Sequence, residues 1–158
     1  MDYISLNSIP HYSDCAPLVK GLGYELVELR IVPQKGSVRI LAVIASKNPV
    51  VDIGIEDCSR IHRALLPRIQ AFLGTEDTYM EVTSPGMERN IRNAAEFELF
   101  IGRDVRVWDK TAGDWVGGTI VSADRKSVTL ERKSADTGEP EQQTVLYETI
   151  AKAKFIHL

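Results

Sequence analysis

The sequence predicts an α+β protein, built from an N-terminal α/β domain and a C-terminal domain made almost entirely of β-strands. In residues 14–83, apolar residues follow helical and alternating spacings in the order α-β-β-α-β. Residues 103–157 show only short alternating stretches. The turn sequence Ser84-Pro85-Gly86 separates the two patterns. We therefore expect domains at residues 1–86 and 93–158, joined by a junction at residues 87–92.

Length and composition are those of a folded protein without a membrane segment. The chain has 158 residues, 44% of them apolar, and is long enough to bury a substantial core. No apolar run reaches the roughly 18 residues that span a bilayer, and the first residues lack the basic start of a secretory signal. Two cysteines are too few for a disulfide framework. We expect a cytoplasmic protein with reduced thiols and no membrane contact.

The charge balance is mildly acidic. The chain has 19 Lys and Arg against 22 Asp and Glu, a net charge of -3, with both signs mixed along it. Proteins that hold RNA mainly through its phosphates usually have a basic balance or a basic block. The totals therefore favour a basic protein as partner, although they are compatible with a local basic surface.

The first domain is expected to begin with a short helix and a β-hairpin. Asp14 is the candidate N-cap of the helix, and Gly21 is a candidate for its end. Residues 27–31 alternate between apolar and charged side chains, and the nearly all-apolar residues 38–45 follow after a turn. Because continuous apolarity is typical of a strand buried on both faces, the second strand should be central. We expect a small sheet with its helices on one face.

A longer helix is the clearest element of the first domain. Its apolar residues share one helix face: Ile55, Cys58, Ile61, Leu65, Ile69 and Phe72. Glu56 and Asp57 would lie in the first turn, where negative charge interacts favourably with the helix dipole. Pro67 falls on the polar side, so we expect a bend and not a break. A strand at residues 79–83 should follow.

The second domain is expected to be a small β-barrel. Asn93 and Glu96 have the spacing of a capping box and predict one short helix that ends before Gly102. Five alternating stretches follow, at residues 103–109, 115–122, 127–132, 143–147 and 153–157. Five short strands in about 55 residues favour a closed barrel, because closure removes exposed sheet edges.

The sequence contains no recognisable catalytic or metal-binding motif. Cys58 and His62 lie one helical turn apart, as metal ligands can, but both fall among apolar residues. The other candidate ligands form no motif with them: His11, Cys15 and His157. A thiol beside an imidazole at the core or its edge is the simpler interpretation. Phosphate-binding loops and nucleophile motifs are also missing, so we expect no enzymatic activity, no cofactor and no metal.

Four arginines are candidate partner contacts. Arg60 and Arg63 share the polar face of the long helix, where simple solvation of the charge is the alternative. Arg89 and Arg92 follow the Pro-Gly turn and could reach a phosphate or a carboxylate. An internal salt bridge that fixes the domain orientation would explain these two equally well.

Two tryptophans form a further candidate site. Trp108 and Trp115 flank a predicted turn and would lie opposite each other on one hairpin face, with Arg106 on the side of Trp108. Cross-strand stacking alone would account for the pair. Exposed aromatic rings beside an arginine are also suited to docking a protein or stacking on RNA bases.

Several segments resemble the bacterial ribosome maturation factor RimP family. The most specific is Glu81-Val82-Thr83-Ser84-Pro85-Gly86-Met87-Glu88-Arg89. Weaker similarity is found at residues 23–28, 55–63, 96–102 and 150–153, so the match extends over most of the chain. The resemblance implies a C-terminal Sm-like, SH3-like barrel and places the domain junction at Ser84, Pro85 and Gly86.

The resemblance also implies a non-catalytic factor required for maturation of the small (30S) ribosomal subunit. Such a factor binds the immature subunit through a basic ribosomal protein near the decoding region and adjacent rRNA; we expect it to be a monomer. The alternative, suggested by the tryptophan pair, is an Sm-like regulator that binds single-stranded RNA through its barrel. A metal-dependent hydrolase is a third hypothesis, which Cys58 would have to support.

Overall fold

The structure, a computed structural model, describes residues 1–48, 51–86 and 89–156. Two α-helices are described, α1 (Tyr12–Gly21) and α2 (Ile55–Leu73). The strands are β1 (Tyr24–Gln34), β2 (Ser37–Ser46), β3 (Thr78–Thr83), β4 (Asn90–Ile91), β5 (Asp104–Asp109), β6 (Asp114–Ala123), β7 (Ser127–Lys133), β8 (Pro140–Leu146) and β9 (Ile150–Phe155). Short 3-10 helices cover Leu6–Ser8, Ala94–Phe100 and Tyr147–Thr149. This content confirms the α+β class.

Some sequence predictions fall outside the described residues. Met87 and Glu88 belong to the expected junction, and His157 to the expected last strand.

None of the helices in the described ranges is both long and apolar enough to cross a membrane.

The chain divides into two compact units. The first comprises Leu6–Pro85, and the second comprises Gly86–Leu158 together with Met1–Ser5. The division after Pro85 coincides with the predicted turn. Gly86 has a φ of 79°, the left-handed conformation that a type II turn requires at its third position.

Residues 1–5 differ from the sequence expectation, which assigns them to the first domain. Their backbone binds the segment before and within the Ala94–Phe100 helix: the Ala94 amide donates to the Asp2 carbonyl at 3.0 Å, and the Asn93 side-chain amide donates to the Ile4 carbonyl at 2.8 Å. The Tyr3 ring also stacks on that of Tyr147, with centroids 6.2 Å apart. These partners are about 90 or more residues away in sequence, so local patterns carry no sign of them.

The first unit is a three-stranded sheet in the order β1-β2-β3. Strand β1 pairs antiparallel with β2, and β2 pairs parallel with β3 through the α2 crossover. The predicted central position of the second strand is confirmed. Both helices share one core with the sheet, and its fully buried members include Cys15, Val19, Leu26, Ile40, Ile44, Ile61, Leu65 and Ile69.

The helix boundaries of the first unit correct two sequence predictions. Helix α1 begins at Tyr12 after His11, whose φ is 62°, so Asp14 lies in the first turn and is not the N-cap. The stripe of α2 is buried only in its middle, because Ile55 is 87% and Phe72 43% exposed. Both residues lie in the terminal turns of α2, and the Phe72 ring stacks on that of His11 with centroids 5.7 Å apart. As predicted, α2 continues through the exposed Pro67.

The second unit is a six-stranded antiparallel sheet in the order β4-β9-β5-β6-β7-β8. The expected closed barrel is not formed: among the described residues, β4 and β8 are the two edges of the ladder. Strand β8 has the character of an edge, since it begins with Pro140 and exposes all but one of its residues. Register shifts between β5 and β9 and between β6 and β7 mark bulges in β9 and β6, and a bulge bends its strand.

Candidate partner-binding surface

The tryptophan pair lies on the outer face of the second sheet. Trp108 is paired directly with Trp115, and the two indoles meet edge to face, with centroids 5.5 Å apart. The guanidinium of Arg106 lies over the Trp115 ring, 4.5 Å from its centroid. Val105 and Val107 are fully buried on the inner face, so alternation along β5 places Arg106 and Trp108 outside. The predicted cross-strand arrangement is confirmed.

Two lysines extend this surface. In the register of β5 and β9, Lys152 is opposite Trp108 and Lys154 is opposite Arg106. The ammonium of Lys152 lies 5.5 Å from the centroid of the Trp115 ring. We call the set Arg106, Trp108, Trp115, Lys152 and Lys154 the tryptophan face.

The sequence pattern alone could not place Lys152 and Lys154 beside the tryptophans. Alternation along residues 150–155 shows that they belong to one strand face, but it does not reveal the neighbouring strand. Only the pairing of β9 with β5, more than 40 residues earlier in the chain, brings them beside the indoles.

The tryptophan face is positively charged. Ion pairs in the described part of the chain join other residues, and none joins Arg106, Lys152 or Lys154. The hairpin also carries carboxylates: Asp104 lies on the same strand face two residues before Arg106, and Asp109 and Asp114 lie at the turn end. Asp104 accepts a hydrogen bond from the Thr119 hydroxyl at 2.5 Å, and Asp109 accepts one from the Thr111 amide at 2.9 Å. The face therefore combines three cations with two partly exposed aromatic rings.

Arg89 occupies a different environment. Its guanidinium contacts Glu96 with two nitrogens, each 2.7 Å from Oε1. Only 13% of the Arg89 side chain and 5% of the Glu96 side chain are exposed. Arg89 thus forms an internal salt bridge, but both of its residues belong to the second unit, so it is not the bridge between domains that the sequence interpretation described. Arg92 is exposed.

The ion pair of Arg89 and Glu96 shares Glu96 with the N-terminal cap of the Ala94–Phe100 helix. The Asn93 amide donates to Glu96 Oε2 at 3.4 Å, and Asn93 Oδ1 accepts from the Ala95 amide at 3.1 Å. This confirms the predicted capping box, although the helix it starts is a 3-10 helix. Glu96 therefore serves the cap and the salt bridge together.

Arg60 takes part in a small hydrogen-bonded cluster at the start of α2. Its Nη1 donates to the Tyr24 hydroxyl at 3.3 Å, which in turn donates to Asp57. The Tyr24 hydrogen bond, followed by the one from the Gly54 amide, lowers the pKa of Asp57, and the charge of Arg60 acts in the same direction. The hydrogen bond to Asp57 raises the pKa of Tyr24. Arg60 thus has a local electrostatic role.

Arg63 lines an open groove between α2 and the end of β3. The groove has a volume of about 600 Å³, and its lining includes Cys58, His62 and Ser84. The His62 Nε2 lies 3.1 Å from the Met80 carbonyl oxygen, and burial raises the pKa of the Cys58 thiol. Among the described residues, no three His, Cys, Asp or Glu side chains cluster as metal ligands would. Cys58 and His62 are half-buried at the edge of the core.

The N-cap of α2 lacks a side chain that could accept a hydrogen bond. Gly54 has extended backbone dihedrals (φ -100°, ψ 176°), and its amide donates to Asp57 Oδ2 at 2.8 Å. We expect Gly54→Ser to raise the free energy of unfolding by about 0.5 to 1 kcal/mol, because serine adds a cap oxygen and restricts the unfolded chain. An added Cβ would meet its nearest atom at 3.6 Å.

Urea unfolding monitored by circular dichroism measures this gain. Gly74→Ser at the other end of α2 is the matched control. Gly74 has a φ of 68°, where a side chain is strained, so this variant should lose stability. Equal effects of the two substitutions would contradict the capping argument.

The chain was also compared with known proteins. The family model described as the RimP N-terminal domain matches residues 14–88. Each of three relatives is named ribosome maturation factor RimP. The protein of Albidiferax ferrireducens is 34% identical over 129 residues, covering 77% of this chain and 62% of the relative. Those of Variovorax paradoxus and Polaromonas naphthalenivorans are 32% and 35% identical, each covering 80% of this chain and 65% and 66% of the relative.

These matches agree with the segments that suggested the family. The chain spans somewhat less than two thirds of the length of the relatives, between 62% and 66%. The domain match at residues 14–88 includes α2, β3 and the Ser84-Pro85-Gly86 turn. The chain is thus similar to ribosome maturation factors of the RimP family over most of its length, and residues 14–88 match the family's N-terminal domain.

Proposed function

We propose that this protein is a non-catalytic assembly factor that binds immature small (30S) ribosomal subunits in the cytoplasm and assists their maturation. Similarity to the RimP family carries the proposal, because the relatives are named ribosome maturation factors. In this proposal the protein is a monomer without cofactor or metal. It contacts a basic ribosomal protein near the decoding region and the adjacent rRNA.

The candidate contacts differ in exposure, which supports some of them more than others. Arg63, Arg92 and the tryptophan face are open to a partner, as is the outer part of Arg60. Arg89 is buried against Glu96, so we assign it a structural role. The net charge of -3 suits a basic protein partner elsewhere on the surface.

Sedimentation with isolated subunits tests the proposal. The purified protein should co-sediment with immature small subunits more strongly than with mature ones. A strain lacking the gene should accumulate immature small subunits with unprocessed rRNA. A normal subunit profile in that strain, together with no co-sedimentation, would reject the proposed function.

The second candidate function is an Sm-like regulator of single-stranded RNA. The tryptophan face favours it, because aromatic rings flanked by cations are typical of such surfaces. The bulged antiparallel sheet is compatible with an Sm-like or SH3-like origin of the second unit. Tight binding to free RNA with no preference for immature subunits would favour this function over the first.

A further inference from the structure

We propose that the tryptophan face binds an unpaired stretch of RNA. In this arrangement, bases stack on the indoles and on the Arg106 guanidinium, while Lys152 and Lys154 contact phosphates. The inference rests on the proposed function, because it assigns the rRNA contact of the assembly factor to one surface of the second unit.

The charge of the surface selects the kind of partner. Arg106, Lys152 and Lys154 bring three positive charges to adjacent positions of β5 and β9. A basic ribosomal protein would be repelled here, whereas phosphates would be attracted. This local charge is opposite in sign to the net charge of the chain, which is -3. The tryptophan face is thus suited to RNA, and the basic protein is expected to bind elsewhere.

The aromatic geometry selects unpaired RNA. The Arg106 guanidinium lies 4.5 Å from the centroid of the Trp115 ring, and the Trp108 ring meets that of Trp115 at 83°. Unstacked bases bind on aromatic rings and on guanidinium planes. In a duplex the bases are already stacked and paired, so they cannot reach these groups. Lysines alone would not distinguish the two forms of RNA.

The scaffold holds these groups in place before a ligand arrives. Both tryptophans lie in paired strands, and the residues that alternate with them are buried: Val105, Val107, Val116 and Ala153. Fixed rings lose little conformational entropy when a base stacks on them. A rigid sheet face therefore favours binding more than a loop would.

Intrinsic fluorescence provides a direct measurement, because the two tryptophans of the chain both belong to the face. We expect a 12-nucleotide oligouridylate to quench their emission and a 12-base-pair RNA duplex to quench it far less. With two phosphates held by Lys152 and Lys154, affinity should fall about 7-fold between 50 and 200 mM salt, as a slope of about -1.4 in the logarithmic plot implies.

Two charge variants test the phosphate contacts. Lys152→Gln and Lys154→Gln should each reduce the salt slope by about 0.7. Lys133→Gln, at the end of β7 and outside the tryptophan face, removes the same charge and should leave the slope unchanged. Trp115→Phe tests stacking, and we expect it to weaken oligouridylate binding several-fold while thermal unfolding stays cooperative.

The possible outcomes separate this inference from the proposed function. If the lysine variants bind oligouridylate and immature subunits as the unaltered protein does, the inference is wrong and the proposed function stands. Quenching by an acidic peptide but not by oligouridylate would also overturn the inference, in favour of a protein partner. If the unaltered protein binds oligouridylate but not immature subunits, the face binds RNA and the proposed function fails.

Discussion

Replacing Glu96 with alanine should lower the free energy of unfolding by about 3 to 5 kcal/mol. Glu96 is 4% exposed and accepts two hydrogen bonds from the Arg89 guanidinium. Its removal leaves a buried positive charge next to an apolar cavity and also disrupts the cap at Asn93. Chemical unfolding monitored by circular dichroism measures the loss.

Two further variants test whether the loss of stability comes from the buried ion pair. Glu98→Ala removes an exposed carboxylate from the same 3-10 helix and should cost less than about 0.5 kcal/mol. Replacing Arg89 and Glu96 together by Met and Leu should cost less than Glu96→Ala alone, because the buried guanidinium is removed together with its carboxylate partner. A double variant as unstable as the single one would refute the charge argument.

Adding one methyl group at Gly118 should cost about 2 kcal/mol. A Cβ built there would lie 2.8 Å from the Glu131 carbonyl oxygen and 3.1 Å from the Leu130 Cβ. Both atoms belong to the neighbouring strand β7, so the backbone of β6 or β7 must shift to make room. We therefore expect Gly118→Ala to lower the thermal unfolding temperature clearly.

The adjacent glycine provides a matched comparison. A Cβ on Gly117 would meet its nearest atom, the end of the Ile156 side chain, at 3.4 Å. That side chain can rotate away, so Gly117→Ala should change stability by less than about 0.5 kcal/mol. Similar losses for both variants would show that the approach of β7 is not the cause.

Periodicity predicted the elements of the first unit, because strands that follow one another in the sequence are also neighbours in its sheet. The helical spacing of Ile61, Leu65 and Ile69 correctly identified the buried face of α2. The same spacing was wrong for Ile55 and Phe72, because it shows which residues share a helix face but not how much of that face other elements cover. That coverage is decided by tertiary packing.

The candidate surface was predicted only where neighbours in space are neighbours along a hairpin. A short turn joins β5 to β6, so the pairing of Trp108 with Trp115 follows from sequence spacing alone. Lys152 and Lys154 reach the same surface through a distant strand. For a similar reason the number of short strands suggested a closed barrel, although strand number does not determine whether the first and last strands pair.

The docking of residues 2–5 on the second unit has a consequence for synthesis. A chain is made from its N-terminus, so these residues leave the ribosome before their partners do. Their partner Asn93 is made 89 residues after Ile4, and Tyr147 is made later still. Residues 2–5 therefore remain without these partners until the chain has been translated as far as Tyr147.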